Sequence, residues 1–310
     1  MMRMKGLVVK NTGSWYQVKT ENGDFYDCKI KGNLRLKGIR STNPIAVGDY
    51  VDFTLSDDNI GSIHAIHDRK NYIIRRSSNL SKHSHILAAN LDLVILIATV
   101  NYPETSTVFI DRFIASAEAY SVPACLLINK IDLYNEEELE YAKALQTLYE
   151  IIGYPTFMIS AVDADSLKNI KEFLKDKTTL VSGNSGVGKS TLINSLLPEP
   201  LANTAEISYY HNRGVHTTTF SEMYWLENGG QLIDTPGIKG FGTVDMEEDE
   251  ISHYFKEIFK TSKKCRFTNC IHINEPDCAV LEAVKNHHIS TSRYQSYLSM
   301  MSDLTSGKYR

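Results

Sequence analysis

Apolar and polar residues alternate in short runs over the first 75 residues, at 7–10, 15–20, 25–30, 50–55 and 60–66, with turn-forming residues between them. A period of two puts one side of each run in a core and the other in water, so each run predicts a half-buried strand. Glu21-Asn22-Gly23-Asp24 places an Asn-Gly pair between the second and third runs, the pair favoured where a tight hairpin needs positive φ. Short strands with this punctuation predict a small barrel. An OB-like barrel is the first choice and an SH3-like one the alternative.

After a polar linker expected around 75–85, the pattern changes to apolar strands alternating with helical stretches. Strands are predicted at 91–100, 124–129, 156–159 and 178–182, and helices at 106–120, 136–152, 166–174 and 189–197. Such alternation predicts a mainly parallel sheet covered on both faces. From about Met246 the chain turns helical and polar, which makes a third region.

Composition then narrows the class. With 310 residues, 42% of them hydrophobic and 23% charged, the chain is ordinary globular protein with room for two or three domains. Its most apolar run, 93–100, is far short of the ~18 residues that a membrane span needs. The start lacks the apolar stretch and cleavage site of a secretory leader, so a cytoplasmic location is expected. Net charge is -4, which argues against a protein that coats nucleic acid generally. Residues 1–82, however, hold 14 Lys and Arg against 8 Asp and Glu. That leaves the basic end as the place for a polyanionic partner. Lys29, Lys31, Arg35, Lys37, Arg40, Arg69, Lys70, Arg75 and Arg76 are the candidate phosphate contacts, with a merely solvated basic face as the alternative.

Gly183-Asn184-Ser185-Gly186-Val187-Gly188-Lys189-Ser190, followed by Thr191, satisfies the phosphate-loop pattern and falls between a predicted strand and a predicted helix. Glycines let backbone N–H groups turn toward phosphate oxygens, and the helix N-terminus adds partial positive charge. Lys189 is expected on the β- and γ-phosphates and Ser190 on Mg²⁺. Asn129-Lys130-Ile131-Asp132 follows a strand and resembles the guanine-reading motif of the GTPase superfamily. A carboxylate at Asp132 can accept both N1–H and the exocyclic amine of guanine, whereas adenine would leave it unpaired. Ser160-Ala161 ends the next strand and resembles the motif that supports the guanine O6. Asp234-Thr235-Pro236-Gly237 resembles the Asp-x-x-Gly motif, with Asp234 reaching Mg²⁺ through water and Gly237 sensing the γ-phosphate. Among Thr217, Thr218 and Thr219, one switch hydroxyl should complete the Mg²⁺ shell; Thr219 is the candidate, though spacing does not choose.

Three of the five cysteines, Cys265, Cys270 and Cys278, cluster with His272. In a reducing compartment this reads as a closed, structural Cys₃His zinc site, one per chain, before it reads as a disulfide framework. Cys28 and Cys125 fall in predicted strands and read as buried apolar side chains.

The guanine motif precedes the phosphate loop, the reverse of the usual order, so the GTPase domain reads as circularly permuted. With the basic barrel, Gly214-Val215-His216-Thr217-Thr218-Thr219 and the Cys₃His cluster, the chain resembles the RsgA (YjeQ/YloQ) family of small ribosomal subunit biogenesis GTPases along nearly its whole length. The resemblance implies an OB-fold RNA-binding domain (1–75), a circularly permuted GTPase domain (86–245) and a zinc-binding domain (246–310). It also implies binding to small-subunit rRNA, stimulation of GTP hydrolysis by that subunit, and action late in its maturation. Two departures stand out: Val215 sits where the family is commonly basic, and Asp277 where a glycine often precedes the last cysteine.

Ile238 follows Asp-x-x-Gly where a Ras-like enzyme has a water-orienting Gln, so another group must position the attacking water. His216 is the candidate, by its chemistry at neutral pH and by the resemblance. Because the Asp-x-x-Gly segment runs directly into the C-terminal region, it is expected to act on that region as a lever. Hydrolysis is expected to drive release from the subunit, acting as a timer; the alternative is an rRNA-binding checkpoint in which nucleotide only tunes affinity. A metabolic P-loop kinase is disfavoured by Asn129 and Asp132 and by the lack of a recognisable acceptor site. The protein is expected to act as a monomer without a membrane.

Overall fold

The computed structural model describes residues 3–30, 44–76, 84–199, 221–234 and 246–305. Strands β1 (Arg3–Asn11), β2 (Tyr16–Thr20), β3 (Phe25–Ile30), β4 (Tyr50–Leu55) and β5 (Gly61–Ile66) form a barrel in the order β1-β2-β3-β5-β4, closed by β4 pairing back onto β1. All its pairs are antiparallel except β3–β5. The barrel is filled by the inward half of each alternation, including Val8, Val18, Val51, Phe53 and Ile63. This is the predicted OB-like barrel.

The two ends of the predicted polar linker belong to an antiparallel pair, β6 (Tyr72–Arg76) with β7 (Ser84–Ala89), with Arg75 in register with His85, while residues 77–83 lie outside the described residues. The apolar flanks explain the difference. Ile73, Ile74, Ile86 and Leu87 are all buried, and they extend strand structure into residues that are polar by sequence. The bridge from Ala88 to Val47 and the bond from Asn90 Nδ2 to Gly48 O (2.8 Å) tie this pair to the barrel.

The central domain consists of β8 (Leu93–Ala98), α1 (Thr107–Ala119), β9 (Ala124–Ile128), α2 (Glu136–Ile152), β10 (Thr156–Met158), α3 (Lys168–Phe173), β11 (Thr178–Gly183), α4 (Lys189–Leu196), β12 (Ser221–Trp225) and β13 (Gln231–Asp234). Its strand order is β10-β9-β8-β11-β13-β12, parallel except for the β12–β13 hairpin. Every residue of β8 and β9 is buried, which explains why their sequences are continuously apolar rather than alternating. Two separate clusters cover the two faces, one containing Phe113 and Tyr149 and the other Leu167 and Leu192. Local chemistry sets the helix ends: Ser106 caps α1, Asn135 and Glu138 form a capping box on α2, and Gly153 at φ 104° ends α2. The sheet runs on into the barrel, since Lys10 and Asn11 of β1 pair with Glu222 and Ser221 of β12.

The C-terminal region contains α5 (Lys256–Ser262), α6 (Ala279–Lys285) and α7 (Thr291–Thr305). Their apolar sides share one cluster with Ala115 of α1. Arg293 is buried at this junction. Its Nη1 donates to Asp111 of α1 (2.7 Å) and its Nε to Glu257 of α5 (2.7 Å). Among the described residues no helix is long and apolar enough to cross a membrane.

Candidate functional site

In a parallel sheet the loops that follow the strands collect at one edge, and here that edge gathers most of the candidate residues. Gly183 ends β11 between β8 and β13, so the phosphate loop starts at the middle of the sheet. Asp234 ends the neighbouring β13, with its backbone in register with Val181. Asn129 follows β9, and Ser160 and Ala161 lie just beyond β10.

Val187 is buried beneath the phosphate loop, whereas Ser185 and Gly186 are exposed and Asn184, Gly188, Lys189, Ser190 and Thr191 are partly so. A Cβ on Gly183 would lie 2.8 Å from Val187 Cγ2 and 2.9 Å from Ile97 O, so the strand end fits only glycine. At Gly188 φ is 94° and a Cβ would overlap Asn129 Nδ2. Lys189 forms an ion pair with Asp234. The pair brings the expected phosphate ligand against the expected metal ligand.

Asn129 is a brace for the guanine-reading loop. It is 1% exposed; its Nδ2 donates to Val187 O (2.8 Å) and its Oδ1 accepts from Ala161 N (2.9 Å). One side chain thus joins three of the nucleotide motifs on this edge. Lys130 takes a left-handed conformation (φ 69°), and Asp132 sits exposed in the 3-10 turn Ile131–Leu133. Ser166 Oγ accepts from Ser160 N (2.9 Å) and donates to Ser160 O (2.8 Å), which fixes the adjoining loop. His216, Thr217, Thr218, Thr219 and Gly237 lie outside the described residues, as do Val215 and Ile238.

The structure gathers Cys265, Cys270, His272 and Cys278 so that one ligand atom from each lies within 4.8 Å of the others. A tetrahedral zinc with bonds of about 2.3 Å to sulfur and about 2.0 Å to nitrogen spaces its ligand atoms roughly 3.5–3.8 Å apart. Three of the separations match, Cys265 Sγ to His272 Nδ1 at 3.6 Å, Cys278 Sγ to His272 Nδ1 at 3.5 Å and Cys270 Sγ to Cys278 Sγ at 3.6 Å, and Cys265 Sγ to Cys278 Sγ is slightly longer at 3.9 Å. Burial pushes the Cys270 thiol up to about 12, so the thiolates a metal site uses need a cation to hold them. Asp277 has φ 57°, which explains why glycine suits this place and why Asp, among the better non-glycine residues there, is tolerated.

Three functional supports carry no sequence signal. Glu275 accepts from the backbone N–H groups of Ile271 (2.6 Å), Ile273 (2.8 Å) and Asn274 (3.0 Å), shaping the turn that presents His272. Tyr294 Oη donates to His272 O (2.7 Å). Tyr134 Oη donates to Asn129 O (2.6 Å). Each bonds to backbone, which a residue pattern does not reveal.

The basic-face reading needs correction at Arg69. Its side chain is 7% exposed, and it donates from Nε and Nη2 to Asp49, each at 2.6 Å; Asp49 itself is fully buried. Arg69 supplies the countercharge that a buried carboxylate requires, so it is no phosphate contact. Lys70 pairs with Asp92, and Lys29 lies 3.9 Å from the Trp15 ring centroid. Lys31, Arg35, Lys37 and Arg40 lie outside the described residues.

A phosphate loop at the centre of a sheet whose strands are joined in permuted order, flanked by an OB-like barrel and a Cys₃His cluster, defines a circularly permuted GTP-hydrolysing enzyme. The chain belongs to the RsgA GTPase family: the family model described as RsgA GTPase matches residues 66–244, and that of the RsgA N-terminal domain matches residues 5–63. It is 66% identical over 307 residues to the small ribosomal subunit biogenesis GTPase RsgA of Bacteroides fragilis (strain YCH46), covering 99% of both chains. It is 54% identical over 312 residues to the same-named protein of Porphyromonas gingivalis (strain ATCC 33277), again covering 99% of both. Among solved structures, YjeQ from Thermotoga maritima matches with a TM-score of 0.77 at 35% identity, over 98% of this chain and 99% of that one. YloQ, a circularly permuted GTPase, matches with a TM-score of 0.75 at 28% identity, over 100% and 97%.

Proposed function

We propose that this protein binds the small ribosomal subunit in the bacterial cytoplasm, as a monomer, and hydrolyses GTP during late maturation of that subunit, hydrolysis driving its release. The observation that carries the reading is Asn129, whose one buried side chain joins the guanine loop, the Ser160-Ala161 loop and the phosphate loop. Relatives named as small ribosomal subunit biogenesis GTPases that match end to end support the partner.

In this reading Asp132 accepts from guanine N1–H and the exocyclic amine, the Lys130 stem and the Ser160-Ala161 loop border the base, and the backbone of residues 183–188 cradles the phosphates. Lys189 leaves Asp234 for the β- and γ-phosphates. Ser190 and Thr219 ligate Mg²⁺, Asp234 holds it through water, and Gly237 senses the γ-phosphate. His216 positions the attacking water. The Cys₃His cluster holds one structural zinc per chain. The barrel over 1–75 and the zinc-binding region over 246–310 dock on rRNA, with the GTPase domain over 86–245 between them.

The test is GTP hydrolysis by the purified protein with and without small ribosomal subunits, with ATP and large subunits as controls. Stimulation confined to GTP and small subunits is expected. Equal rates in all conditions would remove the proposed partner.

A further inference from the structure

We propose that Tyr134 is a positioning residue of guanine recognition: together with the loop at residues 99–105, its hydroxyl holds the guanine-reading turn in shape and sets how long a guanine nucleotide stays bound. This rests on the reading of Asn129, Lys130 and Asp132 given above.

The turn that carries Asp132 has little to hold it from within. It is a single 3-10 turn, its capping residue Lys130 is left-handed, and no side chain caps it. The aim of the Asp132 carboxylate is therefore set by whatever pins the backbone on either side. On one side Asn129 is pinned by its own side chain. On the other, Tyr134 leaves the turn and its buried ring folds back, so that Oη donates to Asn129 O (2.6 Å). That bond closes a ring of chain around Asp132.

The same oxygen accepts from Val100 N (2.8 Å), the first contact of the 99–105 loop. That loop is braced throughout. Thr99 N donates to Thr105 Oγ1 (3.1 Å), Thr99 Oγ1 to Pro103 O, Tyr102 N to Asn101 Oδ1 (2.9 Å), and Asn101 Nδ2 to Glu138 Oε1 (2.8 Å). It also returns to the nucleotide motifs at two points. Lys130 Nζ donates to Tyr102 O, and Pro103 Cδ lies 3.3 Å from where a Cβ on Gly186 would be. The lysine stem passes within 4.0 Å of the same construction at Gly188. Lys130 is thus stretched between the guanine turn and the loop, lying along the phosphate loop, where its stem can form an apolar floor for a purine.

The Tyr134 ring alone would fill its apolar site. The hydroxyl adds one acceptor and one donor, and both are spent at the nucleotide edge. Replacing it by hydrogen leaves the packing intact while Asn129 O and Val100 N lose their shared partner. The turn and the loop then come apart, Lys130 loses its fixed end, and the loss falls on dissociation rather than on chemistry.

The experiment uses the full-length, metal-loaded protein and follows release of a fluorescent GDP analogue. Tyr134→Phe is expected to speed release about tenfold and to raise KM for GTP, with kcat at saturating GTP within about twofold of the parent and the unfolding midpoint of the nucleotide-free protein lowered by only a few degrees, so that the protein stays folded under assay conditions. Asn101→Ala, which frees the loop from α2 without touching the phenol, should speed release in the same direction. Release at the parent rate in both variants overturns the proposal, as does a fall in the nucleotide-free midpoint large enough to account for the lost affinity. Asp132→Asn serves as the control for the underlying reading, because an amide can donate to the 2-oxo group of xanthine where a carboxylate accepts from guanine. If that variant fails to shift preference toward xanthine nucleotides, the guanine-motif reading falls and this proposal with it. If it does shift while Tyr134→Phe releases normally, only the role given to Tyr134 falls.

Discussion

Arg293 offers a severe test of how the C-terminal region is held. Its guanidinium serves two acidic groups, Asp111 at 2.7 Å and Glu257 at 2.7 and 3.2 Å, and also lies 4.5 Å from the Phe255 ring centroid. Burial disfavours its charge, but Asp111 and Glu257 outweigh that and raise its pKa, so it stays protonated throughout the working range. Asp111 is 0% exposed, and its Oδ1 also accepts from Tyr149 Oη (2.7 Å). Arg293→Met keeps much of the side-chain volume but leaves the Asp111 carboxylate buried with a single neutral donor. Breaking a buried pair in this way costs about 3–5 kcal/mol. For a cooperative unit of this size that is a fall in unfolding midpoint of roughly 10 °C. Thermal unfolding of the metal-loaded protein measures it, with limited proteolysis to show that the region around α5 to α7 opens first. Adding Asp111→Leu should recover much of the loss, because the unpaired charge is then gone. A drop of less than about 1 kcal/mol for Arg293→Met would refute the reasoning, since it would mean that Asp111 is solvated or otherwise paired.

Gly188→Ala should destabilise the protein by about 1–3 kcal/mol and weaken GDP binding more than tenfold, because the new Cβ at φ 94° displaces the Asn129 amide from Val187 O; titration with GDP gives the answer, and unchanged affinity would exclude the brace. Stripping the metal with a chelator should make residues 262–280 protease-sensitive while nucleotide binding at the sheet edge survives; resistance without metal would show that the helices fold unaided. At Asp92, burial raises the carboxyl pKa, but the Lys70 ammonium and the Thr178 N–H outweigh it and the net shift is downward. A depressed carboxyl pKa stabilises the fold above the unfolded value of about 3.9 and loses that contribution as pH falls through the folded value. Wild type should therefore exceed Asp92→Asn in urea resistance at pH 7, with the gap narrowing as pH falls below the unfolded value of about 3.9; a gap that does not change with pH would contradict the assignment.

The elements that were legible in the sequence share one property: their signal is local. Alternation marked the barrel strands, and the glycines of the phosphate loop announced the backbone they build. The Cys₃His set was legible because its ligands fall within one short segment. The parts that were not legible depend on partners far apart in the chain. Arg293 sits among Ser, Thr and Tyr, as a surface helix residue would, and its acceptors are 36 and 182 positions away. Arg69 looked like part of a basic face because the carboxylate it neutralises lies 20 residues earlier and carries no mark of burial. The β6–β7 pair was hidden for another reason. Its charged ends obscured apolar centres only a few residues long.

The permuted order makes the C-terminal region a natural lever, because the chain passes into it soon after Asp234. The packing argues otherwise. To swing, that region would have to separate Arg293 from Asp111 of α1 and open an apolar cluster that includes Ala115, Phe255, Ile258, Tyr297 and Met300. Opening the cluster returns its apolar surface to water at about 25 cal/mol per Å², and reversing a two-state equilibrium from 1:99 to 99:1 takes about 5.5 kcal/mol of differential binding besides. A single phosphate would have to supply both. The C-terminal region is therefore expected to move with α1 as one body. What the nucleotide can change more cheaply is the Lys189–Asp234 pair, and Asp234 ends the strand that pairs with β12, which in turn pairs with β1 of the barrel. Hydrogen exchange distinguishes the two routes. Between GDP and a non-hydrolysable GTP analogue, amide protection in β12 and at Lys10 and Asn11 should change, while protection in α1 and α7 should not. A change of more than about tenfold across the α1–α7 contact would restore the lever.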